Sequence, residues 1–180
     1  DGVAYCWGMD SWGELGDGLV HQSCPWPGSP STTVDCSLSP VPVTSLDNVL
    51  RLVTGEGRAH VLRSGGETWG WGNNEYGELG DGTVTQRNTP VSLSVTSDVI
   101  AISSETSHTC AVRTDGTLWC WGANDDGKLG DGTYADRTTA AQVVGLTDVV
   151  SVSTGLWNTC AFRSDGALFC WGLNVLGQLG

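Results

Sequence analysis

The sequence predicts an all-β chain built from repeated four-stranded units, and three observations lead there. A Trp-Gly dipeptide followed by G-x-L-G recurs four times, at Trp7, Trp71, Trp121 and Trp171. The spacing is 64 residues for the first interval and 50 for each of the other two. No segment keeps a helical apolar period, whereas short runs rich in apolar and β-favouring residues alternate with Gly, Asp, Ser and Thr.

Taken along the chain, TAAQVV (139–144), DVVSVS (148–153), NTCAFR (158–163) and ALFCWG (167–172) each predict a strand. Four strands in about 50 residues is the arithmetic of one propeller blade. The segment SHTCAVRTDGTLWCWG (107–122) repeats the third and fourth of these strands one period earlier, and RAHVLRSGGETWGWG (58–72) is a degenerate earlier copy. Asp1–Gly16 matches Asp165–Gly180, so the chain holds about three blades plus a 16-residue stretch of another. The recurring Trp-Gly tryptophans are read as core residues rather than as an aromatic ligand box.

The hairpin turn fixes a register. Thr114-Asp115-Gly116 is a three-residue loop with Gly in the last, left-handed place. It pairs Arg113 with Thr117, Val112 with Leu118, Ala111 with Trp119, and Cys110 with Cys120. That last pair is a non-hydrogen-bonded one with Cα atoms about 4.5 Å apart, within reach of a disulfide. Cys160 and Cys170 stand alike about Ser164-Asp165-Gly166. In the degenerate copy both cysteines change together, to His60 and Gly70, as a bonded pair requires. Cys6 occupies the Cys120 position and its partner is expected before Asp1, leaving it unpaired. Cys24 and Cys36, both in an insertion, are expected to bond each other. Spacings of 10 and 12 without a Cys-x-x-Cys element speak against zinc. Three disulfides place the protein outside a reducing cytosol, in an extracellular or cell-surface setting.

The pattern W-G-x-N-x-x-G-x-L-G-D-G-T, seen in full as WGNNEYGELGDGT (71–83) and WGANDDGKLGDGT (121–133), resembles the regulator of chromosome condensation repeat family. WGLNVLGQLG (171–180) fits as far as it extends, and WGMDSWGELGDG (7–18) departs by placing Asp10 where the others have Asn. The resemblance implies a seven-bladed β-propeller, of which residues 1–180 are a part. Cysteine-paired hairpins point to a bacterial, secreted type of the family. Open edge blades invite self-association.

Composition excludes some functions. The formal charge is −12 with a single lysine, Lys128, which is unsuited to neutralising nucleic-acid phosphates. No apolar run approaches a membrane span. His21, His60 and His108 fall at unrelated points of the repeat with no nucleophile elbow beside them, so no enzyme, catalytic residue or cofactor is expected. The Asp and Asn of NDDGKLGDG (124–132) fail the order of a calcium loop and read as turn formers, so no metal site is expected.

What remains is the insertion that accounts for the longer first interval, LVHQSCPWPGSPSTTVDCSLSPVPV (19–43), with five of the six prolines. A Pro-rich loop pinned by Cys24 and Cys36 is stiff and loses little entropy on binding. His21, Trp26, Pro27 and Pro30 are its candidate partner contacts. The expected function is therefore a non-catalytic scaffold that binds a protein partner through its loops. The alternatives are a structural repeat domain of a larger surface protein and, by the family resemblance, a regulator of the guanine-nucleotide exchange type.

Overall fold

A computed structural model of the chain describes residues 2–26, 29–95 and 97–180, which form fourteen strands and, among the described residues, no helix. Two complete antiparallel blades occupy the middle. One consists of β4 (Val49–Gly55), β5 (Arg58–Arg63), β6 (Thr68–Gly72) and β7 (Arg87–Ser92) in chain order. The other consists of β8 (Val99–Ser104), β9 (His108–Arg113), β10 (Leu118–Gly122) and β11 (Arg137–Gln142). After them, β12 (Val149–Thr154), β13 (Asn158–Arg163) and β14 (Leu168–Gly172) make a three-stranded sheet of the same order. At the start, β3 (Ser29–Pro42) lies between β1 (Tyr5–Met9) and β2 (Gln22–Trp26).

The hairpin register is the expected one. Leu118 faces Val112, Trp119 faces Ala111, and Cys120 faces Cys110. The Cα atoms of Cys110 and Cys120 are 4.1 Å apart, as are those of Cys160 and Cys170, and both pairs stand as disulfides. Gly116 takes φ = 76°, the left-handed conformation that the loop requires. In the degenerate hairpin His60 faces Gly70. A Cβ on Gly70 would lie 2.8 Å from the His60 ring, so a buried imidazole opposite glycine replaces the bridge by volume. Burial drives the His60 pKa from 6.5 to about 3, with the Arg58 charge adding to the effect, and the ring is neutral.

The core lies between successive sheets. Leu62, Leu79, Leu93, Val99, Ile102, Ala111 and Trp121 pack where the first complete blade meets the second. Val112, Leu118, Leu129, Val143 and Val149 do so at the next junction. Each blade therefore buries its apolar face only against a neighbour.

The repeated motif supplies the fastening. The Trp71 indole N–H donates to the Glu14 carbonyl at 2.8 Å, Trp121 to Glu78 at 2.7 Å, and Trp171 to Lys128 at 2.9 Å. Each acceptor is the variable residue of the preceding G-x-L-G. The closing glycine of that motif makes room for the ring: a Cβ on Gly80 would stand 2.7 Å from the Trp121 indole nitrogen.

Core placement holds for Trp71 and Trp121, which are fully buried, and in part for Trp171. It does not hold for Trp7, which is 64% exposed; among the described residues no sheet packs over its ring. β13 and β14 are likewise more open than β9 and β10, since among the described residues a sheet packs against one of their faces only.

Candidate functional site

The insertion folds as a β-hairpin rather than a loop. The C-terminal part of β3 pairs with β1, from Tyr5 with Pro42 to Met9 with Cys36. Its N-terminal part pairs with β2, from Gln22 with Cys36 to Trp26 with Ser29. The β-favouring run Thr32-Thr33-Val34 continues the strand outward. Proline is tolerated because Pro40 falls within the irregular stretch between Ser37 and Val41, and Pro25 lies on the edge strand β2. Cys24 and Cys36 are diagonal neighbours across this ladder, with Cα atoms 6.0 Å apart, and close the expected third pair.

The candidate contacts are not brought together. Trp26 is 39% exposed at the outer end of β2. Pro27 lies outside the described residues, and of Pro30 only the backbone position in β3 is described. His21 sits at the opposite end, just before β2, with its side chain 13% exposed. Its Nε2 lies 3.1 Å from Asp17 Oδ2 and 3.8 Å from Asp10 Oδ2. Its backbone N–H donates to Asp35 Oδ1 at 2.8 Å, and Asp35 O accepts from Asp10 N at 2.8 Å. The Asp10 and Asp17 side chains are only 5% and 8% exposed.

This polar cluster is the first unit's version of a loop that the other units fill differently. In the second, Asn74 Oδ1 accepts from Leu79 N at 2.9 Å, while its Nδ2 donates to Thr83 O and Thr85 O, both at 3.1 Å, and to Asp81 Oδ1 at 3.4 Å. Arg87 Nε and Nη2 reach Asp81 Oδ2 at 2.8 and 2.6 Å. Asn124, Asp131 and Arg137 repeat the arrangement. In the first unit Asp10 Oδ1 keeps the acceptor role, taking the Leu15 N–H at 2.9 Å. The amide donor is gone. The arginine is gone too: Arg87 and Arg137 face Gly72 and Gly122, and the residue facing Gly8 is Ser37. Imidazole from the insertion stands on Asp17 in place of guanidinium.

Charge follows from this exchange. Burial raises the Asp10 carboxyl above its ordinary value, and Asp35 and Asp17 add to the rise against the Leu15 hydrogen bond and His21. Burial, then Asp10 and Asp17, push the free Cys6 thiol to about 11. Hydrogen bonds from Thr83 and Arg87 instead hold Asp81 below the usual carboxylate range despite burial. Asp17 and Asp35 escaped the sequence reading. The signal available was the joint loss of Asn at position 10 and of the arginine that follows Asp81 and Asp131 by six residues.

The other histidines serve the blade junctions. His108 Nε2 meets Thr159 Oγ1 at 2.8 Å, and burial with the nearby Lys128 and Arg58 charges lowers its pKa to about 3. Cys110, two residues away, is disulfide-bonded and not a thiol.

Antiparallel four-stranded sheets, each fastened to the next by a motif tryptophan, define a β-propeller of repeated blades. The chain belongs to the family of the regulator of chromosome condensation (RCC1) repeat. That repeat matches residues 65–112 and 115–162, and a second profile of the same repeat matches 99–128 and 149–178. Human WBSCR16 is similar in structure, with 21% identity, a TM-score of 0.75, and cover of 91% of this chain and 40% of its own. Yeast RCC1 (Prp20) bound to Kap60 gives 19% identity and a TM-score of 0.73 over 96% of this chain and 40% of that one. Prp20p from Saccharomyces cerevisiae alone gives 20% and 0.74, over 95% and 41%. The likeness is one of fold, and the chain spans about two-fifths of the length of these structures.

Proposed function

We propose that the chain is a non-catalytic propeller scaffold that binds a protein partner through the β2–β3 hairpin. The observation behind this reading is the hairpin itself. It carries β3 outward beyond its pairing with β1, is cross-linked by Cys24–Cys36, and exposes Trp26 at its outer end and Leu38, 80% exposed, near its base. A cross-linked hairpin loses little conformational entropy on binding, and an exposed tryptophan is a favoured anchor. The similar fold of Prp20p, studied with its binding to Gsp1p and histones, supports protein partnership in this architecture. The charge of −12 favours a partner with a basic rim over nucleic acid. Three cysteine pairs at disulfide distance support an oxidising, extracellular or cell-surface location.

The test compares the intact chain with a Trp26→Ala, Leu38→Ser variant of unchanged thermal midpoint, both immobilised and exposed to secreted and surface proteins of the source. Proteins retained by the first and lost from the second support the reading. Equal retention profiles overturn it.

A further inference from the structure

We propose that Asp10, Asp17 and His21 form a binding site for a divalent transition-metal ion, with zinc as the reference ion, at the root of the hairpin. One ligand atom from each residue lies within 4.8 Å of the others. His21 Nε2 stands 3.1 Å from Asp17 Oδ2 and 3.8 Å from Asp10 Oδ2. Donors bound to one ion at about 2.0–2.2 Å are separated by roughly 3–3.6 Å, so the three atoms need to move little to share a cation.

Two independent observations raise the cluster above a chance gathering of acidic groups. The first is Asp10 Oδ2. The Asp10 side chain is 5% exposed, its Oδ1 is taken by Leu15 N, and among the described residues no hydrogen-bond donor reaches Oδ2, which faces the imidazole. With its side chain mostly buried and one oxygen free of protein donors, this carboxylate is well placed to accept a cation. The second is the comparison with the sister loops. Asn74 with Asp81 and Arg87, and Asn124 with Asp131 and Arg137, are neutral as sets and closed by their own donors. The first unit has exchanged amide for carboxylate and guanidinium for imidazole, which sets a second carboxylate beside the first and takes away the permanent cation. A divalent ion would supply the missing positive charge.

The donor set selects the class of ion. One imidazole nitrogen with carboxylate oxygens suits zinc, manganese or iron better than the all-oxygen cages of calcium. Asp35 supports two of the ligands, through its side chain to the His21 N–H and through its carbonyl to Asp10 N. Its neighbour Cys36 ties β3 to β2. The ion would join the loop after β1 to the residue that starts the hairpin.

The test uses residues 1–180 with disulfides intact, in a Cys6→Ser background so that no thiol offers a ligand, stripped by chelator and titrated calorimetrically with Zn2+. One equivalent should bind, raising the thermal midpoint, and Co2+ in its place should give a visible ligand-field band. Asp10→Asn writes the residue of the second and third units into the first and should fold normally. It should weaken Zn2+ by more than the roughly 10–100-fold that loss of an outer-shell partner costs. Absence of saturable Zn2+ binding, or affinity unchanged in Asp10→Asn, overturns the site. Saturation by Ca2+ and not by Zn2+ overturns the assignment to a transition metal.

Discussion

In the second and third units Asn74 and Asn124 use both ends of the amide inside the motif loop, whereas in the first unit Asp10 can use one oxygen only. The loops nevertheless share a path. Oδ1 accepts a leucine N–H five residues on in all three. What the path needs is thus an acceptor at that atom. The other half of the side chain is free to differ, and there the first unit changes its chemistry. The histidines divide along the same line: His60 and His108 are sealed and neutral in the complete blades, while His21 in the first unit faces two carboxylates.

Acid should separate these regions most. The folded pKa values of His60 and His108 lie near 3, against an ordinary value of 6.5. Between those limits the unfolded chain takes up protons that the folded chain refuses. Stability is therefore complete above about pH 6.5 and falls as pH drops toward 3, by roughly 1.4 kcal/mol per pH unit for each ring. Urea unfolding between pH 7.5 and 4.5 measures the slope. The double change His60→Cys, Gly70→Cys should form a third hairpin bridge and cut the slope by half.

Next in size is the reciprocal of the first-unit exchange. Asn124→Asp puts a second carboxylate against buried Asp131, removes the donor to Thr133 O and Ala135 O, and brings no histidine. We expect a loss on the order of 3–5 kcal/mol. Asp10→Asn in metal-free protein should change stability by less than about 1 kcal/mol. Equal effects in the two denaturation curves would break the comparison.

Gly80→Ala should cost about 2–4 kcal/mol, combining a left-handed φ of 67° with a clash on Trp121. Gly132→Ala has a similar φ of 81° and open space, and should cost only about 1–2 kcal/mol. The difference in thermal midpoint between the two variants isolates the tryptophan fastening.

Smallest is the insertion bridge. Replacing Cys24 and Cys36 by serine should shift global stability by less than about 1 kcal/mol, because the hairpin can open without the blades. Hydrogen exchange should rise in β2 and the outer part of β3 while β5 and β9 stay protected.

Much of this fold was legible because repetition turns one unit into a template for the next. The period located the strands, and the turn Thr114-Asp115-Gly116 fixed the pairing of Cys110 with Cys120. The insertion has no second copy to be read against. Its prolines suggested a loop, although a strand accommodates them at an edge or an irregular pairing. Asp10 stood out as a departure from the motif, but its meeting with His21 depends on the path of residues 18–21, which no periodicity encodes. Trp7 misled for the opposite reason: the motif promised burial, and burial requires a neighbouring sheet.

The unbroken course of β3 makes the hairpin a cantilever. Pairing passes from β1 to β2 at Cys36, and Asp35 is still tied to the motif loop through Asp10 N, so Ser29–Val34 overhang the blade by roughly 20 Å of extended chain. A load at the free end would be felt as torque where the strand is clamped by β1, not as a local yielding of the tip. The overhang is also a graft point. Among the described residues Ser29, Thr33 and Val34 pair with β2 and not with β1, so this end can diversify, as an exchangeable tool head does, while the shaft and its mounting stay the same.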